Sequence, residues 1–262
     1  MATPSISIEG RTFKQTYSIR VLLAVILLGP AALAASIAFE NQQVDKNSLY
    51  VAAGLTTIFV VLWILIGRTV LTIDAMGLKR QSAFGSKEIF WNQITETRYV
   101  VNPINVAGHF GLIGLLISAA SRTKQANLTF RVIGSTGTQI RITSNFKDAR
   151  EAIGLVLTRI LPGMVSDARL RIERGETVQF GQVRLSKAGV IWKSKNPVPL
   201  TEIKSAELVG SKLRVKCTGK WLDAIAVRSD KIPNVLVLLE VLDSLAPQLR
   251  VAAIDPLARV RM

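Results

Sequence analysis

From Tyr50 to Gly67 the chain reads YVAAGLTTIFVVLWILIG, eighteen residues without a charge, and Arg68 closes the run. As a helix at ~1.5 Å per residue it would reach about 27 Å, close to the ~30 Å hydrocarbon core of a bilayer. Tyr50 and Trp63 stand towards its two edges, where amphipathic aromatics favour the headgroup level. A second uncharged run, Val21–Phe39, lies upstream with Pro30 near its middle, a residue that would kink a helix there. A cleaved signal is the competing reading of that run, since Ala32–Ser36 are small, and a buried core helix is the competing reading of Tyr50–Gly67. The long polar start, residues 1–20, and the short polar loop Glu40–Ser48 favour two spans joined as a hairpin over 21–68. Arg11, Lys14 and Arg20 flank it on one side and Arg68, Lys79 and Arg80 on the other. The positive-inside rule then predicts a multi-pass protein of the plasma (inner) membrane with both termini in the cytoplasm.

Beyond Arg68 the apolar period changes from helical to two. Short alternating runs at Val70–Asp74, Leu78–Ser82, Lys87–Trp91 and Ile94–Val101 are separated by turns at Gly77 and Gly85, as in a β-meander. Further strands are predicted at Asn127–Ile133 and Thr138–Thr143, then a helix from about Asn145 to Leu161 that Pro162–Gly163 stops. The same order follows again, with strands between Thr177 and Arg228 and an apolar helix opened by Pro233 and running to about Leu245. Gly77–Leu78 matches Gly189–Val190, and the stretch Trp91–Ile94 matches Leu200–Ile203. These offsets read as one duplicated module, with segments 69–165 and 166–250 and a tail at 251–262. Apolar residues 106–120 interrupt the first copy, inside an insertion spanning 104–121. Phe110, Leu112, Ile113, Leu115 and Leu116 either touch the membrane or pack into a core.

Charge sharpens the picture by where it sits. The chain carries 33 Lys and Arg against 18 Asp and Glu. From Arg68 onward 29 basic residues face 15 acidic ones, so nearly all of the excess lies in the strand-rich part. Anionic lipid headgroups are the partner this predicts. Nucleic acid, the other polyanion such a surface suits, is not expected beside a membrane anchor. Lys212, Arg214 and Lys216 alternate along one strand and so share a face, with Leu213, Val215 and Cys217 on the other. Lys187, Lys193, Lys195, Lys220 and Arg228 lie in neighbouring turns and strands and complete a candidate lipid or partner surface. The competing reading is that this charge only sets topology.

The texture of TIDAMGL followed by IFWNQI resembles bacterial membrane proteins with pleckstrin-homology (PH)-like domains. Residues 176–245 are similar to one largely uncharacterised branch of that group, through ETVQFGQVRLSKAGV, VPLTEIKSAEL, KLRVKCTGKW and IPNVLVLLEVLD. The W-x-x-I pattern becomes Leu200–Ile203 in the second copy, a departure that keeps the apolar side chain. The resemblance implies a membrane α-helical hairpin plus α+β, with two tandem PH-like modules, each an antiparallel β-barrel or sandwich with a C-terminal helix. It also implies membrane-associated binding or scaffolding.

Catalytic chemistry is thinly represented. One cysteine, Cys217, allows no intramolecular disulfide, and one histidine, His109, removes His-rich metal sites. No acid–base pair has supporting context, and no glycine-rich phosphate loop occurs. The expectation is a non-enzyme with no cofactor, no metal and no catalytic residue. It would act as a membrane-anchored binding module, with a membrane-protein partner or a second copy as further candidates. The alternative is a structural subunit of a larger membrane complex, because Ala32, Ala35, Ser36, Gly54 and Thr57 would permit close helix contacts.

Overall fold

A computed structural model describes residues 10–15, 46–103, 126–193, 196–219, 222–246 and 260–261, together with Ala24, Leu28, Gly29, Ala32 and Ser36. The chain is organised as two compact units, Met1–Glu88 with Asn145–Ala149, and Ile89–Ser144 with Arg150–Met262.

In the first unit the alternation at Val70–Asp74 forms β2 (Val70–Ile73), followed by β3 (Gly77–Ser82) and β4 (Gly85–Phe90). Asp74 closes the turn between β2 and β3: its Oδ1 accepts from the Met76 and Gly77 amides at 2.8 and 2.9 Å. An edge strand that the polar start did not signal, β1 (Arg11–Lys14), pairs antiparallel with β2, giving the order β1-β2-β3-β4. It is held by burial of Phe13 beside Leu71 and Ile73. Lys14 pairs with Val70, so everything between them is an excursion from two neighbouring strands. That excursion contains α1 (Lys46–Gly67), 22 residues long.

The expected pair of membrane spans is corrected here. Among the described residues no helix is long and apolar enough to cross a membrane. The helix α1 opens on Lys46, Asn47 and Ser48, so its apolar part is shorter than the helix itself. The upstream run Val21–Phe39 lies outside the described residues except at the five positions named above. The transmembrane hairpin, the membrane and transmembrane assignment, and the multi-pass inner-membrane location with cytoplasmic termini fall with it. The expected fold class, a hairpin ahead of two tandem PH-like modules, gives way to mostly antiparallel β-sheets with three α-helices among the described residues.

The second unit begins with a three-stranded antiparallel sheet, β5 (Ile94–Pro103), β6 (Ala126–Gly134) and β7 (Gln139–Thr143). One face is core: Thr97, Tyr99, Phe130, Val132, Ile140 and Ile142 are buried, and the Tyr99 and Phe130 rings meet edge-on at 6.3 Å. Pro103 pairs with Ala126, so the apolar insertion is a second excursion from adjacent strand ends. The insertion itself, with His109 and the candidate contacts Phe110, Leu112, Ile113, Leu115 and Leu116, lies outside the described residues.

Helix α2 (Ala149–Glu173) runs past Pro162–Gly163, where a stop is expected. Proline removes one backbone hydrogen bond and crowds the preceding turn, at a cost of about 3 kcal/mol in a helix interior. Pro162 lies on the exposed side, and burial of Ala168 and Ile172 beyond it offsets the loss. A meander of β8 (Val178–Phe180), β9 (Val183–Ser186) and β10 (Gly189–Trp192) follows. A Cβ at Gly189 would lie 2.0 Å from the Val198 carbonyl oxygen, so the close approach of the two backbones demands glycine. Next come β11 (Ile203–Val209), β12 (Lys212–Cys217), β13 (Asp223–Arg228) and α3 (Val235–Leu245). The tail also contributes: β14 (Val260–Arg261) adds to β11 in parallel.

Asn234 ties the two three-strand runs together. Asn234 precedes the apolar helix α3, where an N-cap is expected, yet its side chain does not cap that helix. It sits at φ 55 and turns to β5 instead. Its amide donates to the Thr97 carbonyl at 2.7 Å, and its Oδ1 accepts from the Thr97 amide at 2.6 Å and the Thr97 hydroxyl at 3.1 Å. Replacement Asn234→Ala removes these two side-chain bonds and a third from Nδ2 to the Thr95 carbonyl, and places a Cβ-bearing residue without a polar arm in the left-handed region. The expected loss is about 2–3 kcal/mol, against about 1–2 kcal/mol for Asn234→Gly, which keeps the backbone conformation. Urea unfolding of the two variants measures the difference.

Candidate anion-binding face

The hairpin β11–β12 is closed by Gly210 and Ser211, with Gly210 at φ 57, the positive φ that the first residue of a two-residue turn of this kind needs. The alternation predicted for β12 holds: Leu213, Val215 and Cys217 are buried, while Lys212 and Lys216 are exposed and Arg214 is half-buried. Cys217 is a free, buried thiol on the core side. Register with β13 sets Arg228 opposite Lys212. Lys212, Arg214, Lys216 and Arg228 therefore share the outward face of one sheet.

The face is not uniformly basic. Glu207 lies directly opposite Arg214 on β11, and Asp223 sits opposite Lys216 on β13. Arg214 Nε lies 3.6 Å from Asp223 Oδ2. Arg228 grips Asp230 with two bonds, Nε to Oδ1 at 3.0 Å and Nη2 to Oδ2 at 2.8 Å. The two arginines are thus held by carboxylates of the same chain, and the lysines carry the charge that faces outward. Glu207 and Asp223 are absent from the sequence-predicted surface because a cross-strand neighbour depends on register, which periodicity does not give.

The remaining candidates do not join this face. Lys187 is exposed in the turn between β9 and β10, in another sheet. Lys193 follows β10 in the left-handed region at φ 55, with its ammonium 5.1 Å from the centre of the Trp192 ring. Its carbonyl accepts from Arg184 Nη2 at 3.2 Å, which adds an arginine that the sequence reading did not select. Lys195 and Lys220 lie outside the described residues. Among the described residues no cluster of three or more His, Cys, Asp or Glu side chains could hold a metal ion.

Among the described residues this sheet face thus carries two exposed lysines and two arginines paired with carboxylates. The chain belongs to a family of unknown function (DUF6585), whose model matches residues 9–249. A search of the curated proteins found no match.

The pairing has a mechanical consequence. Arg214→Ala leaves Glu207 and Asp223 flanking an empty position and strips the apolar stem that covers the sheet. It is expected to cost about 1–2 kcal/mol, while Lys212→Ala stays within about 0.5 kcal/mol. Chemical denaturation of the two single variants reads this contrast.

Proposed function

We propose that the chain is a non-catalytic binding module whose β12 face contacts anionic lipid headgroups. The observation that carries this reading is the pair of exposed lysines, Lys212 and Lys216, projecting from a strand whose other face is core. A rigid sheet holds these charges at fixed spacing, so they engage an anionic surface together. Each is worth about 1 kcal/mol near such a surface, within a Debye length of ~8–10 Å at physiological salt. Arg228 stands beside Lys212 and extends the strip, although Asp230 offsets its charge. The likeness to bacterial PH-like proteins supports the reading through one feature, the strand run ending in a helix that occurs twice in element order.

A second reading rests on α1. Val51, Ile58, Val60, Val61 and Ile64 are each about half exposed or more. Exposed apolar side chains in such density favour a structural subunit whose partner, or second copy, covers them. A molar mass equal to one chain, measured by light scattering on the purified protein over a range of concentrations, would remove that reading.

The lipid reading predicts co-sedimentation of the full-length protein with phosphatidylcholine vesicles that rises with phosphatidylserine content and falls with added salt. The double variant Lys212→Glu, Lys216→Glu is expected to lose binding. Binding that survives the double charge reversal at low salt would refute the assignment of this face.

A further inference from the structure

Three arginines stand abreast on the sheet β5–β6–β7. Arg98 pairs with Arg131 across β5 and β6, and Arg131 pairs with Arg141 across β6 and β7. Directly paired residues project from the same face, and neighbouring strands lie ~4.8 Å apart, so the three stems form a row about 10 Å long. The opposite face of these strands is the buried one, so the row is on the outward side. The three strands contain one carboxylate, Glu96, against these three guanidinium groups.

Like charges placed directly opposite one another destabilise a sheet. The chain offsets part of this row. Glu96 forms an ion pair with Arg98, and Arg98 Nη1 also donates to the Asp230 carbonyl at 3.2 Å. Arg131, the central member, has its Nε shielded from solvent with no hydrogen-bond partner among the described residues. Thr129 and Thr143, paired on the next rung of the same face, add two hydroxyl groups beside it.

The second three-strand run shows what the same position looks like when it is self-neutralised. Both runs start from a 3-10 turn, Trp91–Gln93 or Leu200–Glu202, and both slip register at the same place, between Ile94 and Glu96 or between Ile203 and Ser205. Counting on from the slip, Arg98, Arg131 and Arg141 correspond to Glu207, Arg214 and Ala226. The later row reads acid, base, apolar, and its arginine has carboxylates beside it. The earlier row reads base, base, base. The architecture accommodates a carboxylate there, so arginine at all three positions distinguishes β5–β6–β7 from β11–β12–β13.

We propose that Arg98, Arg131 and Arg141 form a binding site for a phosphate group, with Arg131 as its central contact. A phosphate presents several anionic oxygens in a geometry that guanidinium N–H pairs match in bidentate fashion, and one such group can bridge neighbouring arginines. The site is separate from the lysine strip of β12. The phosphate comes either from a soluble ligand or from a lipid headgroup bearing a phosphate monoester.

The test is calorimetric titration of the full-length protein with inorganic phosphate, with chloride at matched ionic strength as control. A parallel arm compares sedimentation with phosphatidylcholine vesicles containing phosphatidic acid or phosphatidylserine. Saturable uptake of phosphate that weakens by about tenfold or more in Arg131→Gln is expected from loss of a charge-assisted contact. Phosphate should also raise the thermal midpoint of the wild type and leave that of Arg131→Gln unmoved. Arg141→Gln, at an exposed edge-strand position, repeats the test should Arg131→Gln fail to fold. Preference for phosphatidic acid that Arg131→Gln abolishes assigns a headgroup as the source, and uptake of free phosphate alone assigns a soluble ligand. Phosphate binding retained in Lys212→Glu, Lys216→Glu separates this site from the lysine strip. Absence of both saturable phosphate uptake and phosphatidic acid preference, or wild-type binding in the arginine variants, overturns the proposal.

Discussion

Asn234 spends its side chain and its backbone amide on a strand that lies 137 residues earlier in the chain. The position is costly in three ways. It holds the left-handed backbone region, it gives up capping α3, and it must meet a buried threonine with matched geometry. Asparagine meets these demands together: it tolerates positive φ better than other non-glycine residues, and its carboxamide carries both acceptor and donor. The donor side is used as well, since Nδ2 reaches the Thr95 carbonyl at 3.3 Å. Thr97 would otherwise be a buried amide and hydroxyl on the core face of β5, an arrangement that costs about 1–3 kcal/mol per unsatisfied group. Through this latch α3, buried at Val235, Leu236, Val237, Leu238, Leu239, Val241 and Leu242, is set against β5.

Two long segments of the chain are each bracketed by paired positions on neighbouring strands. Each leaves the sheet from one member of a strand pair and returns to the neighbouring member, at Lys14 with Val70 and at Pro103 with Ala126. The antiparallel ladder thus closes over the base of each excursion. Strand pairing is satisfied without either stretch, because backbone bonds on both sides of the exit are made between strands that are already adjacent. Such a design lets an apolar segment be attached to a sheet without interrupting its core.

Arginine is handled in three ways on these surfaces. Arg228 is clamped by a carboxylate two residues away, Arg214 is flanked by carboxylates from two strands, and Arg131 is flanked by two more arginines. Asp230 links two of these neighbourhoods, giving its carboxylate to Arg228 and its carbonyl to Arg98. The strong positive balance of the chain is therefore not spread evenly. Among the described residues, basic side chains collect on the lysines of β12 and on one row of β5–β7.

Period-two alternation and turn glycines were enough to place most strands, because a side chain that must be buried every second residue leaves a direct mark on the sequence. The alternation in β12 marked its buried and outward faces for the same reason, and the apolar run at Val235–Leu245 marked a helix. Other features depend on distant parts of the chain and leave no local mark. Arg11–Lys14 is polar but becomes a strand because Phe13 finds a core and β2 offers a free edge. Helix α2 passes a proline because Ile172 is buried beyond it. A hydrophobic run long enough to suggest a membrane span does not by itself establish one. Glu207 beside Arg214, and Arg131 between Arg98 and Arg141, exist only once register is set, since a slip of one residue would send each to the other face. The sequence by itself determined which residues are buried within each element. Tertiary structure decided which charges stand side by side, because that is fixed by pairing between strands that the chain keeps far apart.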